Sequence, residues 1–85
     1  MAAVTADKTG NLAGIAKWFQ FTAGDINDGT TFEGPATGAY WFQQTDNPTT
    51  QASAGISIAR STTTYTFYPG ENGATGYLFV ENRLQ

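Results

Sequence analysis

The run Asp25-Ile26-Asn27-Asp28-Gly29-Thr30-Thr31-Phe32-Glu33 gathers the side chains of this chain that come nearest to a chemical constellation. Oxygen ligands at alternating positions can wrap a hard cation such as calcium, and Asp25, Asn27 and Asp28 would be the ligands. The register argues against it. A helix-flanked calcium loop needs its glycine at the sixth position, whereas Gly29 is fifth when Asp25 is counted first, and the closing carboxylate of Glu33 arrives too early. Asp25, Asp28 and Glu33 could also supply a carboxylate pair for glycoside hydrolysis, which requires two acids ~5–10 Å apart across a cleft. A chain of 85 residues has little material for both a cleft and a core. Ser53, Ser57 and Ser61 lack a base, because the chain contains no His, and no lysine stands at a spacing that would activate them. With no Cys there is no thiolate nucleophile, disulfide or zinc site of the usual kind. The reading is of a non-enzymatic protein with no catalytic residue, no cofactor and no metal.

Aromatic rings are the other group that could act, with two Trp, four Tyr and six Phe in the chain. Trp18, Tyr40, Trp41, Tyr65, Tyr68 and Tyr77 are the candidate partner-binding residues. Each carries a flat ring with a polar tip, suited to stacking on a sugar or to anchoring a protein interface. Gln20, Gln43 and Gln44 would supply hydrogen bonds beside them. Strand alternation divides the rings between faces. Tyr40 and Phe42 share one face with Trp41 opposite, and Ile15, Phe19 and Phe21 share one face with Trp18 opposite. About half of the rings are therefore core, and the rest occupy a less buried face. An exposed Trp beside a Tyr forms an apolar patch of the kind that marks an interface. Thr- and Gly-rich faces pack flatly against other chains, which favours a protein partner over a sugar. Trp18 and Trp41 are expected to report on different faces, one at an interface and one in the core.

The elements that must position these rings are strands. Gly14 to Thr22, Thr30 to Glu33, Ala39 to Thr45, Ile56 to Arg60, Thr62 to Tyr68 and Tyr77 to Glu81 are rich in β-branched and aromatic residues. Turn formers separate them: Asn27-Asp28-Gly29, Gly34-Pro35, Asp46-Asn47-Pro48 and the stretch Pro69 to Gly76. Ala23 to Gly29 reads as a loop. The last two strands are expected to form an antiparallel hairpin. No segment shows a helical period. The pattern predicts an all-β fold, a small antiparallel β-sandwich or barrel of five to six short strands. Residues 1–13, small and polar without sustained alternation, read as a flexible N-terminal arm that orders on a neighbouring molecule. Residues 14–85 read as a single β domain.

Bulk properties narrow the partners. The net charge is −3, and Lys8, Lys17, Arg60 and Arg83 are scattered singly, which argues against nucleic acid. No stretch approaches the ~20 apolar residues of a membrane-spanning helix. Met1 to Gly14 has one Lys and no apolar core, so it does not read as a secretory signal. A domain this small, without disulfide or metal, gains stability by self-association or from a partner surface.

The polar N-terminal segment, the Gly- and Thr-rich β segments such as Ser61-Thr62-Thr63-Thr64-Tyr65-Thr66-Phe67-Tyr68, the few charges and the absence of Cys make the chain similar to small accessory proteins of tailed-phage virions, of the head-decoration or cement type. That resemblance implies a β-rich structural module, often trimeric, that binds viral coat subunits and reinforces the shell. It implies a location in the virion after synthesis in the host cytoplasm. Tail-fibre domains share the same character, so a carbohydrate-binding or host-recognition β module is the alternative. The resemblance assigns no site residue.

Overall fold

The computed structural model describes residues 3–45, 56–70 and 72–82, the side chains of 23–25 excepted. The chain is all-β. Its seven strands are β1 (Lys8–Leu12), β2 (Ala16–Ile26), β3 (Thr30–Glu33), β4 (Tyr40–Gln44), β5 (Ile56–Ser61), β6 (Thr64–Pro69) and β7 (Ala74–Glu81), and no helix occurs among the described residues. They form two antiparallel sheets, one of four strands in the order β1-β2-β7-β4 and one of three in the order β3-β6-β5. Neither sheet closes on itself. No helix among the described residues is long and apolar enough to cross a membrane.

Period-two alternation decides which side chains meet between the sheets. In β7, Ala74, Gly76, Leu78 and Val80 are buried, while Thr75, Tyr77, Phe79 and Glu81 lie on the opposite, half-exposed side. Leu78 stands between Phe19 of β2 and Phe42 of β4 in the ladder, so three apolar side chains line up across the inner face. Rings from the three-stranded sheet meet them edge-on. Phe32 contacts Phe19 and Phe21 at 5.0 and 5.2 Å between centroids, and Phe67 contacts Phe21 and Phe42 at 5.6 and 5.9 Å. Such pairs contribute about 0.5–1.5 kcal/mol each beyond the area they bury.

The polar groups drawn into this interior are satisfied. The Tyr65 hydroxyl donates to the Pro35 carbonyl and accepts from Arg60 Nη1 at 3.2 Å. Arg60 also donates to the Gly38 carbonyl at 2.8 Å, and its guanidinium lies over the Tyr40 ring at 4.8 Å. The Tyr40 hydroxyl donates to the Ile58 carbonyl at 3.2 Å. A half-buried cation is thus held by two aromatic rings and a carbonyl, which ties β5 to β4 across the two sheets.

Several expectations are corrected. Part of the segment read as a flexible arm, Lys8–Leu12, is the edge strand β1, paired along β2 from Lys8↔Gln20 to Leu12↔Ala16. Val4 donates to the Thr31 carbonyl at 2.8 Å, so residues 3–12 pass from the edge of one sheet to the edge of the other. An edge strand exposed on both sides needs no apolar alternation, and its backbone pairing leaves no trace in residue type. Asp7 anchors it, its carboxylate accepting from Thr22 N and Oγ1 at 2.8 and 2.9 Å.

Among the described residues there are seven strands rather than five to six because of β1. β2 also runs on to Ile26, past the loop expected from Ala23, through an irregularity in its pairing with β7 between Phe21 and Ile26. The expected hairpin of the last two strands does not form: β6 pairs with β3 and β5, and β7 with β2 and β4. Tyr65 and Phe67 on one strand and Leu78 and Val80 on the other are all buried. Two strands with such apolar faces bury more surface face to face than side by side.

Candidate binding face

The outer side of the four-stranded sheet carries an aromatic row. Trp18 of β2 is opposite Phe79 of β7, which is opposite Trp41 of β4, so three rings cross the sheet in one register. The next row is Gln20, Tyr77 and Gln43. Trp41 and Phe79 stack at 5.2 Å with planes 12° apart. Trp18 and Tyr77 meet edge-on at 5.9 Å and 74°. The packing of the fold does not require these rings, since the core lies on the other face.

Trp18 is held by what lies beneath it. Gly10 is its neighbour on β1, and a Cβ on Gly10 would lie 2.5–2.9 Å from the indole ring. The indole therefore packs closely against the bare glycine backbone. Tyr77 is held from the side: Gln20 Nε2 donates to its hydroxyl oxygen at 3.1 Å. Leu12, Trp18, Gln43, Thr45, Tyr77 and Phe79 enclose an open depression of about 320 Å³.

The six rings singled out from sequence separate in the structure. Trp18, Trp41 and Tyr77 come together on this outer face, and Trp41 is 42% exposed. Both Trp residues thus lie on the same face, against the expectation that one would be core. Tyr65 is fully buried and Tyr40 half-buried, both on the inner side with rings 5.3 Å apart. Tyr68, 47% exposed, is on the outward side of the three-stranded sheet. Gln20 and Gln43 join the outer face, whereas Gln44 has the opposite parity. Sequence reading missed Phe79 and Gly10. The alternation Tyr77-Leu78-Phe79-Val80 would have placed Phe79 with Tyr77, but nothing in sequence pairs Gly10 with Trp18.

The polar run between β2 and β3 is a turn stitched to its neighbours. Thr30 N donates to the Asn27 carbonyl at 3.0 Å, and Asn27 Oδ1 accepts from Gly73 N at 3.0 Å. Asp28 N donates to Asn72 Oδ1 at 2.9 Å. The side-chain oxygen of Asn27 thus fastens two loops together. The Asp25 side chain and Ser53 lie outside the described residues, and no cluster of metal-ligating side chains occurs among those described. Glu33 accepts from the Thr64 and Thr63 hydroxyls at 2.6 and 2.9 Å. These bonds, Thr64 first, hold its carboxyl below its ordinary value of 4.5. A lowered carboxyl contributes stability above its unfolded pKa, and that contribution is lost as pH falls through the folded value.

Comparison with protein-family models, with curated proteins and with solved structures finds no match for this chain. The geometry of its faces therefore carries the functional argument.

Proposed function

We propose that this chain is a small β-sandwich that acts as a non-enzymatic accessory protein of a virus particle, attaching to coat subunits as a decoration or cement protein. The observation that supports this reading is the apolar end formed by the β1–β2 hairpin. Ile15 at its tip is 63% exposed and Leu12 beside it is 45% exposed. Hairpin tips are ordinarily polar, and exposed aliphatic side chains clustered at one end favour a protein contact. β1 is an edge strand next to them, without proline, and with Lys8 as its one charge, so little on it discourages approach by another chain. The resemblance to head-decoration proteins supplies the kind of partner. A modest contact is enough when many copies bind one shell, because multivalent attachment adds.

The test is co-sedimentation with shells assembled from the coat protein of the genome that encodes this chain. The double substitution Leu12→Ser with Ile15→Ser should weaken attachment by about tenfold or more while leaving the melting temperature near wild type. Wild-type protein that stays in the supernatant would refute the reading. The alternative, a carbohydrate-binding or host-recognition module such as a tail-fibre domain, is favoured by the aromatic face, which adjoins the hairpin end at Leu12.

A further inference from the structure

We infer that the depression on the outer face of the four-stranded sheet is a binding site for a neutral saccharide, with Trp18 as its stacking platform and Gln43 and Tyr77 as its hydrogen-bonding groups. The chemistry of the lining selects this ligand class. Leu12, Trp18, Tyr77 and Phe79 provide apolar and aromatic surface, and the polar groups are the carboxamide of Gln43, the phenol of Tyr77 and the hydroxyl of Thr45. Each of these can both donate and accept a hydrogen bond, and none is charged. A sugar ring has the matching pattern: hydroxyls that donate and accept, around a face of C–H groups that lies on an aromatic ring.

The site is arranged before any ligand arrives. Gly10 lets the half-buried Trp18 indole lie close against the β1 backbone, where it lines the depression. Gln20 donates to the Tyr77 oxygen, so the phenol proton is free to point to a ligand acceptor. Gln43 faces Tyr77 across the β4–β7 ladder, and its amide makes no hydrogen bond to the described residues. The fixed positions of Trp18 and Tyr77 lower the ordering cost of binding.

Other ligand classes fit less well. A nucleic acid would bring phosphates to a chain of net charge −3, with no Lys or Arg lining the depression. A proline-rich peptide presents carbonyl acceptors and few donors, leaving the Gln43 carbonyl oxygen without a partner. The volume of about 320 Å³ is at the lower end of the ~300–1,000 Å³ typical of small-molecule sites, which suits one or two sugar units.

The experiment is ligand-observed saturation-transfer NMR with a parallel Trp fluorescence titration on the isolated full chain. The probes are the methyl glycosides of glucose, galactose, mannose, N-acetylglucosamine and N-acetylgalactosamine, with a proline-rich decapeptide as the competing class. At least one glycoside should saturate with a Kd of about 1 mM or tighter. Gln43→Ala and Tyr77→Phe, which each remove one hydrogen-bonding group at a solvent-facing position, should weaken it about fivefold or more with melting unchanged. Trp18→Ala should abolish it. Absence of saturation for every glycoside up to about 50 mM, binding unaffected by both Gln43→Ala and Tyr77→Phe, or peptide binding in place of sugar binding would each overturn the inference. Shell attachment measured on the same two variants should be unchanged, so failure of the saccharide site and failure of the attachment reading give different results.

Discussion

The two faces of the four-stranded sheet use the same device with different consequences. On the inner face the Phe42 ring lies over Gly76, where a Cβ would meet the ring at 2.7 and 2.9 Å and the Gln43 carbonyl oxygen at 2.2 Å. On the outer face the Trp18 ring lies over Gly10. In both cases a glycine lets an aromatic side chain sit close to the neighbouring strand. Inside, the rings are covered by a second sheet, and the tyrosine hydroxyls bond to backbone carbonyls. Outside, nothing described covers the rings, and Gln43 has no partner among the described residues. Aromatic content by itself therefore does not distinguish the core face from the outer face. What distinguishes them is the second sheet over the inner rings and the unpartnered carboxamide of Gln43 beside the outer ones.

The largest expected effect comes from truncating a ring on each face. Phe67 is fully buried between Phe21 and Phe42. Phe67→Ala should cost ~3–5 kcal/mol, a large share of the stability of so small a domain. Trp41→Ala should cost about 1 kcal/mol, the stacking on Phe79 and little else. Urea titrations followed by circular dichroism measure both. Equal costs would mean that the outer row is part of the folding core.

The two glycines provide an intermediate test. Gly76→Ala drives a methyl group into the backbone of β4, which cannot yield without breaking the ladder, and should destabilise by roughly 3 kcal/mol. For Gly10→Ala the three atoms nearest the added methyl all belong to the Trp18 side chain, which can swing outward. The substitution should cost about 1 kcal/mol or less while altering the near-ultraviolet dichroism and fluorescence of Trp18. A large loss of stability from Gly10→Ala would show that the seated indole supports the fold as well as the surface.

The smallest effect concerns the hairpin that carries β1. Ala13 and Gly14 both have positive φ, 48° and 76°, and Ile15 N donates to the Leu12 carbonyl at 2.8 Å. This is the backbone of a type I′ turn, for which Asn-Gly is the preferred pair. Ala13→Asn should raise stability by about 0.5–1 kcal/mol, measured as a shift in thermal midpoint. Because β1 is the exposed edge strand of the four-stranded sheet, the same substitution should leave the core chemical shifts in place. No gain would indicate that the turn is already offset by its neighbours.

Much of the local structure was legible in residue types. The alternation of Tyr40-Trp41-Phe42 correctly put Trp41 on the side opposite Tyr40 and Phe42, because a strand has only two faces. The turn at Asn27-Asp28-Gly29 was also marked, and Gly29 there has φ of 83°. β1 was not legible. An edge strand with polar, exposed side chains on both sides is held by backbone bonds to β2, and any sequence without proline can make those. The candidate face was half legible: parity put Trp18 opposite Phe19 and Phe21, and Trp41 opposite Tyr40 and Phe42, yet that both Trp lie away from the core on one surface depended on β7 lying between their strands.

The sequence by itself determined that the fold is all-β, that the chain lacks the groups for acid–base or nucleophilic chemistry through His or Cys, and that its rings are split between two sides of each strand. These follow from side-chain type and a period of two, which are properties of single segments. The tertiary structure alone decided that β6 and β7 lie in different sheets, that Trp18, Phe79 and Trp41 form one row, and that Gly10 seats an indole eight residues further along the chain. Those are pairings between segments. They are set by which apolar faces bury one another most completely, and that competition is settled only when the whole chain collapses together.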